Sequence, residues 1–282
     1  MVLESIFNPP QAERHPLAVL GLGFLYGSLA LFLSLWIFEE QTSMVMVFLA
    51  TMAIVPLMWR TLKFEESKDM IIEGEKNLLK EHAKAMKLYL MLFLGISIAF
   101  TLWYVVLPAE ITTMVFQVQT QTITNLNQHV TGNITYTSLL SKIFLNNVKV
   151  MIFCILFSLI YGSGAVFILT WNASVIGAAA GNFIITNVAP YADKTGVALV
   201  GGYFYASGMS IVRYAVHGIP EIFAYIVAGI AGGILSMAII KHDFGSKKFE
   251  KVLLDVSDLV LLAVFILFVA AIVEVFVTPA LL

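Results

Sequence analysis

Arg213, His217, Glu221 and Glu274 are ionisable side chains inside or at the edge of apolar sequence, and their types could do chemistry. In His217-Gly218-Ile219-Pro220-Glu221 the imidazole and the carboxylate stand four residues apart, which on a helix is one face. Three kinds of chemistry fit. His217, Glu221 and Glu274 are donors that suit a divalent metal ion, the one cofactor class the set suggests. With Arg213 they could instead hold a proton, an ion or a charged substrate within the membrane. Or they close a capping and salt-bridge network among themselves. Pro220 favours the first turn of a helix, where the helix dipole also favours the Glu221 carboxylate, so the structural reading needs no ligand.

The spacing is not H-E-x-x-H, and Gly218 and Pro220 interrupt the turn between the two donors. No G-x-S-x-G, Walker loop or Cys-x-x-Cys occurs, and no nucleophile has a base beside it, so the chain is expected not to be an enzyme. Cys154 is the single cysteine, which excludes an internal disulfide. His15, His82, His129 and His242 fall outside the apolar runs and are read as loop residues without a role.

The elements that must position these side chains are membrane spans. Residues 17–38, 42–59, 86–107, 148–171, 219–240 and 256–277 are apolar runs, each near the roughly 20 residues that cross a 30 Å hydrocarbon core. One run could be a buried helix of a soluble domain; so many within 282 residues make an all-α, polytopic transmembrane helical bundle of six or seven membrane segments. The composition agrees: 60% of residues are hydrophobic and 12% charged, about half the charged share of a soluble domain. A net charge of −2 supplies no field for nucleic acid, so the lipid bilayer is the partner the composition demands. The polar start, with Glu4, Glu13 and Arg14, and the length of the first run argue against a cleaved signal peptide.

Basic residues set the expected orientation in the cell membrane. Of 16, seven lie in residues 60–87 and four in residues 241–251, so both stretches and the N-terminus read as cytoplasmic, and the C-terminus as extracytoplasmic. Residues 109–137 are rich in Gln, Thr and Asn and hold no lysine or arginine, so 109–145 read as an outer loop, after which Asn146-Asn147 open the fourth span. That span is expected to return to the cytoplasm near Asn172. Three further apolar segments then lie before Lys241, and three full crossings would leave it on the wrong side. One must be re-entrant or broken. Residues 196–216 are expected to be that segment, because they hold Gly201-Gly202, Ser207-Gly208 and Arg213 and stop at Gly-Ile-Pro. This reading puts all four ionisable side chains in the outer half of the membrane.

The chain thus divides into a two-span hairpin (residues 1–60), a cytoplasmic juxtamembrane helix (61–87) and a membrane core (88–282). The helix is supported by Glu73–Lys76 and Glu81–Lys84 pairs and by an apolar stripe of Ile71, Ile72, Leu78 and Leu79. Residues 109–145 and 61–87 are the two surfaces on which a protein partner could dock. Gly177/Gly181 and Gly229/Gly233 form G-x-x-x-G motifs, which serve either packing within the chain or a homo-oligomer seam.

Asn146-Asn147, the run Asn172 to Gly177, His217-Gly218-x-x-Glu221, Ala228-Gly229-x-x-Gly232 and the late Glu274 together resemble the stage II sporulation protein M family, over about residues 88–279. The resemblance implies a polytopic fold carrying this polar constellation. It also implies a scaffold role, since the family's namesake in spore-forming bacteria holds peptidoglycan-degrading enzymes at the engulfing membrane. Two functions follow as expectations: a membrane scaffold that recruits partners, or a transporter or channel using Arg213, His217, Glu221 and Glu274.

Membrane-impermeant thiol labelling of intact cells, in a Cys154→Ser background, checks the orientation. Gln121→Cys is expected to react and Lys76→Cys to stay protected; the reverse pattern inverts the topology.

Overall fold

The computed structural model describes residues 9–71, 75–128, 136–191, 196–241 and 245–278, and these are almost wholly helical. In chain order the α-helices are α1 (Pro9–Arg14), α2 (Pro16–Ile37), α3 (Thr42–Ile71), α4 (Glu75–Val106), α5 (Ala109–Val115), α6 (Gln117–Gln128), α7 (Tyr136–Tyr161), α8 (Ala165–Val188), α9 (Val197–Lys241) and α10 (Lys247–Ile272). A π turn, Val273–Val277, closes α10. Local signals start two of them: Pro16 opens α2, and the Ser246 hydroxyl accepts the Phe249 N–H at 3.2 Å to cap α10. Among the described residues seven helices, α2, α3, α4, α7, α8, α9 and α10, are long and apolar enough to cross a bilayer.

The chain is a multi-pass helical membrane protein, and small residues bring its helices together. Lipid tails give helices no hydrophobic reason to associate, so close backbone approach must do it. α2 lies along α4 so tightly that a methyl group on Gly95 would stand 2.1 Å from the Leu20 carbonyl oxygen. α8 lies along α4 in the same sense, with Gly177 against Phe100 and Gly181 against Tyr104. α9, whose span is the most buried of the seven, sets Gly229 against Ala165 and Gly233 against Leu62. Both G-x-x-x-G motifs are therefore used within the molecule rather than as an oligomer seam.

The two ends of the bundle differ. At one, α3, α4, α9 and α10 run on beyond the apolar runs and bring Glu65, Glu66, Lys68, His82, Lys241 and Asp255 together; this is the charged end. The juxtamembrane stretch is thus two antiparallel helix extensions rather than one helix. Its Glu81–Lys84 pair forms at 2.6 Å. The expected Glu73–Lys76 pair and the side chains of Ile71, Ile72 and Leu78 lie outside the described residues.

Several expectations fail on element boundaries. The run 148–171 is not one span: Gly162, at φ +72°, turns the chain sharply between α7 and α8, and Trp59 packs on it too closely for any side chain. α7 begins at Tyr136, so Asn146-Asn147 lie well inside a helix instead of opening one, and Asn172 is interior to α8. With spans at α7 and α8, the parity problem disappears. Residues 196–216 are not re-entrant but form the first half of α9, which continues unbroken through Pro220. Proline within a membrane helix is tolerated where the freed carbonyl finds another partner or the helix adjusts locally. The expected outer loop is also largely helical. α5 and α6 fold back onto the bundle, where the buried Gln119 amide donates to the Ser43 carbonyl (3.1 Å) and the Ser174 hydroxyl (3.2 Å) and accepts from the Ser43 hydroxyl (2.6 Å).

The Gly95 contact is tested by substitution. Gly95→Ala is expected to lower thermal stability in detergent by about 1–3 kcal/mol through overpacking. Gly21→Ala, where an added methyl meets nothing within 4 Å, should leave stability unchanged or raised.

Candidate functional site

Glu221 enters from α9 and Glu274 from the π turn at the end of α10, and their carboxyl groups are hydrogen-bonded to each other. Asn147 of α7, buried, donates from its amide to Glu221 Oε1. Three separate helices therefore converge on one polar contact. Tyr225, one turn beyond Glu221 and also buried, stands within electrostatic range of both carboxyls and of Cys154. The π turn helps to aim Glu274: its wider ring, closed by the Thr278 N–H on the Val273 carbonyl, displaces the side chain from the regular helical track.

The depth follows from helix rise. Glu221 lies eight residues from Gly229, which packs on the first residue of α8, so about 12 Å separate it from the charged-end turn. Asn147 lies 14 residues from the end of α7 at the same turn, about 21 Å away. These distances place the pair within the apolar part of the bundle, well away from the charged-end turn. The contact joins three helices through one buried polar cluster, in which the Asn147 amide satisfies one Glu221 oxygen.

Of the four residues singled out by sequence, two meet. Arg213 does not join them: it is exposed, its guanidinium 5.4 Å from the centre of the Phe183 ring and hydrogen-bonded to Tyr214. His217 lies on α9 one turn before Glu221, and its side chain is outside the described residues. Asn146 points away and is exposed, whereas its neighbour Asn147 supplies the bond. For a metal, no group of three or more His, Cys, Asp or Glu side chains among the described residues is arranged to hold one.

A second cluster was hidden from the sequence reading. His82 is not in a loop but fully buried in α4, with Nδ1 2.8 Å from Glu65 Oε2 and Nε2 3.1 Å from Asp255 Oδ2. Lys68 donates to Glu65 at 2.7 Å and to Glu13 at 3.1 Å, and Lys241 pairs with Glu66. Burial pushes the Glu13 carboxyl above its ordinary range against the pull of Lys68. These contacts join α1, α3, α4, α9 and α10 at the charged end. The signal available in the sequence was Glu65 and Lys68 one turn apart, which becomes informative only once α3 is known to outrun its apolar segment.

Residues 90–279 match the family description "Stage II sporulation protein M". The chain belongs to the stage II sporulation protein M family. No curated protein and no solved structure matches it. The matched region runs from within α4 to the π turn and contains Asn147, Glu221 and Glu274, while Glu13, Glu65, Lys68 and His82 precede it.

Removal of the carboxyls tests the pairing. Glu274→Leu is expected to cost about 3 kcal/mol or more, because it leaves Glu221 buried beside Asn147 alone. Glu274→Gln keeps a donor for Glu221 and should cost far less. In thermal unfolding the Glu221→Leu/Glu274→Leu double variant should lose less than the sum of the singles; strict additivity would show that the two act independently.

Proposed function

We propose that this protein is a non-enzymatic scaffold in the cell membrane, lying with its charged end and N-terminus in the cytoplasm and its C-terminus outside. The observation that carries the reading is the α5–α6 shelf. Its backbone is locked to the bundle through buried Gln119, while Gln117, Thr120, Gln121 and Thr124 remain exposed on it. A polar surface held in place by a buried lock is ready to dock another protein without the entropic cost of ordering a loop. Under this reading the ionisable residues within the bundle fasten helices, in keeping with a family whose namesake holds wall-degrading enzymes at a membrane.

A second reading, a transporter or channel, is favoured by a different observation. Glu221 follows Pro220 and Glu274 sits in a π turn, so both carboxyls stand at helix irregularities of the kind that build ion sites.

Two measurements separate the readings. A photo-crosslinking residue at Gln121 is expected to capture one defined extracytoplasmic protein in cells, and Gln119→Leu should abolish capture without lowering the amount of scaffold in the membrane. Purified protein in proteoliposomes should dissipate an imposed pH gradient no faster than empty vesicles. Faster dissipation that disappears in Glu221→Gln would replace the scaffold with the transporter.

A further inference from the structure

Lys149 is a cation in the body of α7, two residues past Asn147. At about 100° per residue it is turned about 200° from the amide that reaches Glu221, so it points out of the bundle. Burial agrees: Asn147, Met151, Cys154 and Ser158 form the buried face of α7, and Lys149 is exposed on the opposite one. Among the described residues Lys149 makes no hydrogen bond and no ion pair. The outward face of a membrane span is a costly place for an ammonium, which normally pairs or meets water.

Snorkelling does not relieve the cost. α7 is about 39 Å long and Lys149 stands near its middle. However a 30 Å hydrocarbon core is set within that length, about 10 Å or more of it separates Lys149 from either boundary. That exceeds what a four-carbon stem spans. The residues around Lys149 also form a seam. Lys142, Leu145, Lys149, Ile152 and Leu156 are all exposed and recur at spacings of three, four, three and four, the repeat along which a second helix interdigitates. Lys149 is the central residue of that seam, and α7 is the least buried of the seven spans.

The counter-charge does not come from a second copy of this chain. Two α7 seams face to face would set Lys149 against Lys149, a like-charge contact. Of the exposed carboxylates among the described residues, Glu39, Glu40 and Glu110 stand at helix starts away from the charged end. Glu250 and Asp258 lie close to Asp255 at the charged end. Copies that share one orientation in a bilayer bring none of these level with the middle of α7. Glu221 and Glu274 are already bonded to each other.

We infer that the outward seam of α7 binds one transmembrane helix of a partner protein, and that this helix carries an aspartate or glutamate that pairs with Lys149. The apolar positions Leu145, Ile152 and Leu156 supply close packing, and the ion pair sets register and excludes helices without the carboxylate. The inference goes beyond the α5–α6 shelf, which meets its partner outside the hydrocarbon, so either surface can fail alone.

The test uses the full-length protein with a photo-crosslinking residue at Ile152, reconstituted in phosphatidylcholine vesicles. The probe is a leucine-rich transmembrane peptide with one central aspartate, and the control has leucine there. The aspartate peptide should crosslink about tenfold more than the control. Lys149→Leu removes a charge from lipid and breaks no contact within the chain; it should keep the wild-type melting temperature or raise it, while crosslinking falls to the control level. Lys149→Glu should prefer a peptide with a central lysine. Equal yields for the aspartate and leucine peptides, or a yield unchanged in Lys149→Leu, overturns the site. So does crosslinking of Ile152 to a second copy that the aspartate peptide fails to displace.

Discussion

Helices in lipid gain nothing from burying one apolar face against another, because the tails they leave are as apolar as the helices they meet. Association must come from close packing and from polar contacts that find no partner in hydrocarbon. This bundle uses both, at different places. Close packing is concentrated at glycines: Gly95 on the Leu20 carbonyl, Gly177 on Phe100, Gly232 on the Ile155 backbone. These fix α2 and α8 beside α4, and α9 beside α7. Every other contact, including those that aim side chains at one another, relies on those backbone distances.

Polar contacts then select one register among the close-packed alternatives. The Glu221–Glu274 pair with Asn147 links α9, α10 and α7. Gln119 links the shelf to α3 and α8. At the charged end, His82 sits between Glu65 and Asp255, so α3, α4 and α10 share one buried imidazole. A slip by one helical residue in any of these helices would leave a buried polar group unpaired, at a cost that typically exceeds the bond itself. The polar residues are few, and each is placed where it discriminates.

The membrane class and most of the spans could be read from the sequence, because a run of about 20 apolar residues matches the thickness of a bilayer and is too long for most buried helices. The convergence of Glu221 with Glu274 was also readable, since an isolated carboxyl in hydrocarbon needs a partner. What could not be read was where helices stop. The turn at Gly162 is three residues long with apolar flanks, so the run 148–171 looks continuous, and the misplaced boundary generated a re-entrant segment that does not exist. The reverse error concealed His82, because polar sequence beyond an apolar run looks like a loop when it is a helix continuing past the bilayer. Arg213 resembles a member of the carboxyl cluster only in one dimension; two turns of helix separate it from Glu221, and its guanidinium lies over the Phe183 ring instead.

α9 is a rod of 45 residues, about 67 Å long, more than twice the thickness of the hydrocarbon it crosses. It is held near its middle by Glu274 and Asn147, with about 36 Å of helix from Glu221 to Val197 and about 30 Å to Lys241. From Glu221 to Lys241 the rod is almost wholly buried, with Gly229, Gly232 and Gly233 against neighbouring helices. The Lys241 tip is tethered to Glu66 and packed among α3 and α10, whereas the Val197 tip is exposed on the far side. One uninterrupted helix therefore joins the exposed far side to the charged end, with no loop between them.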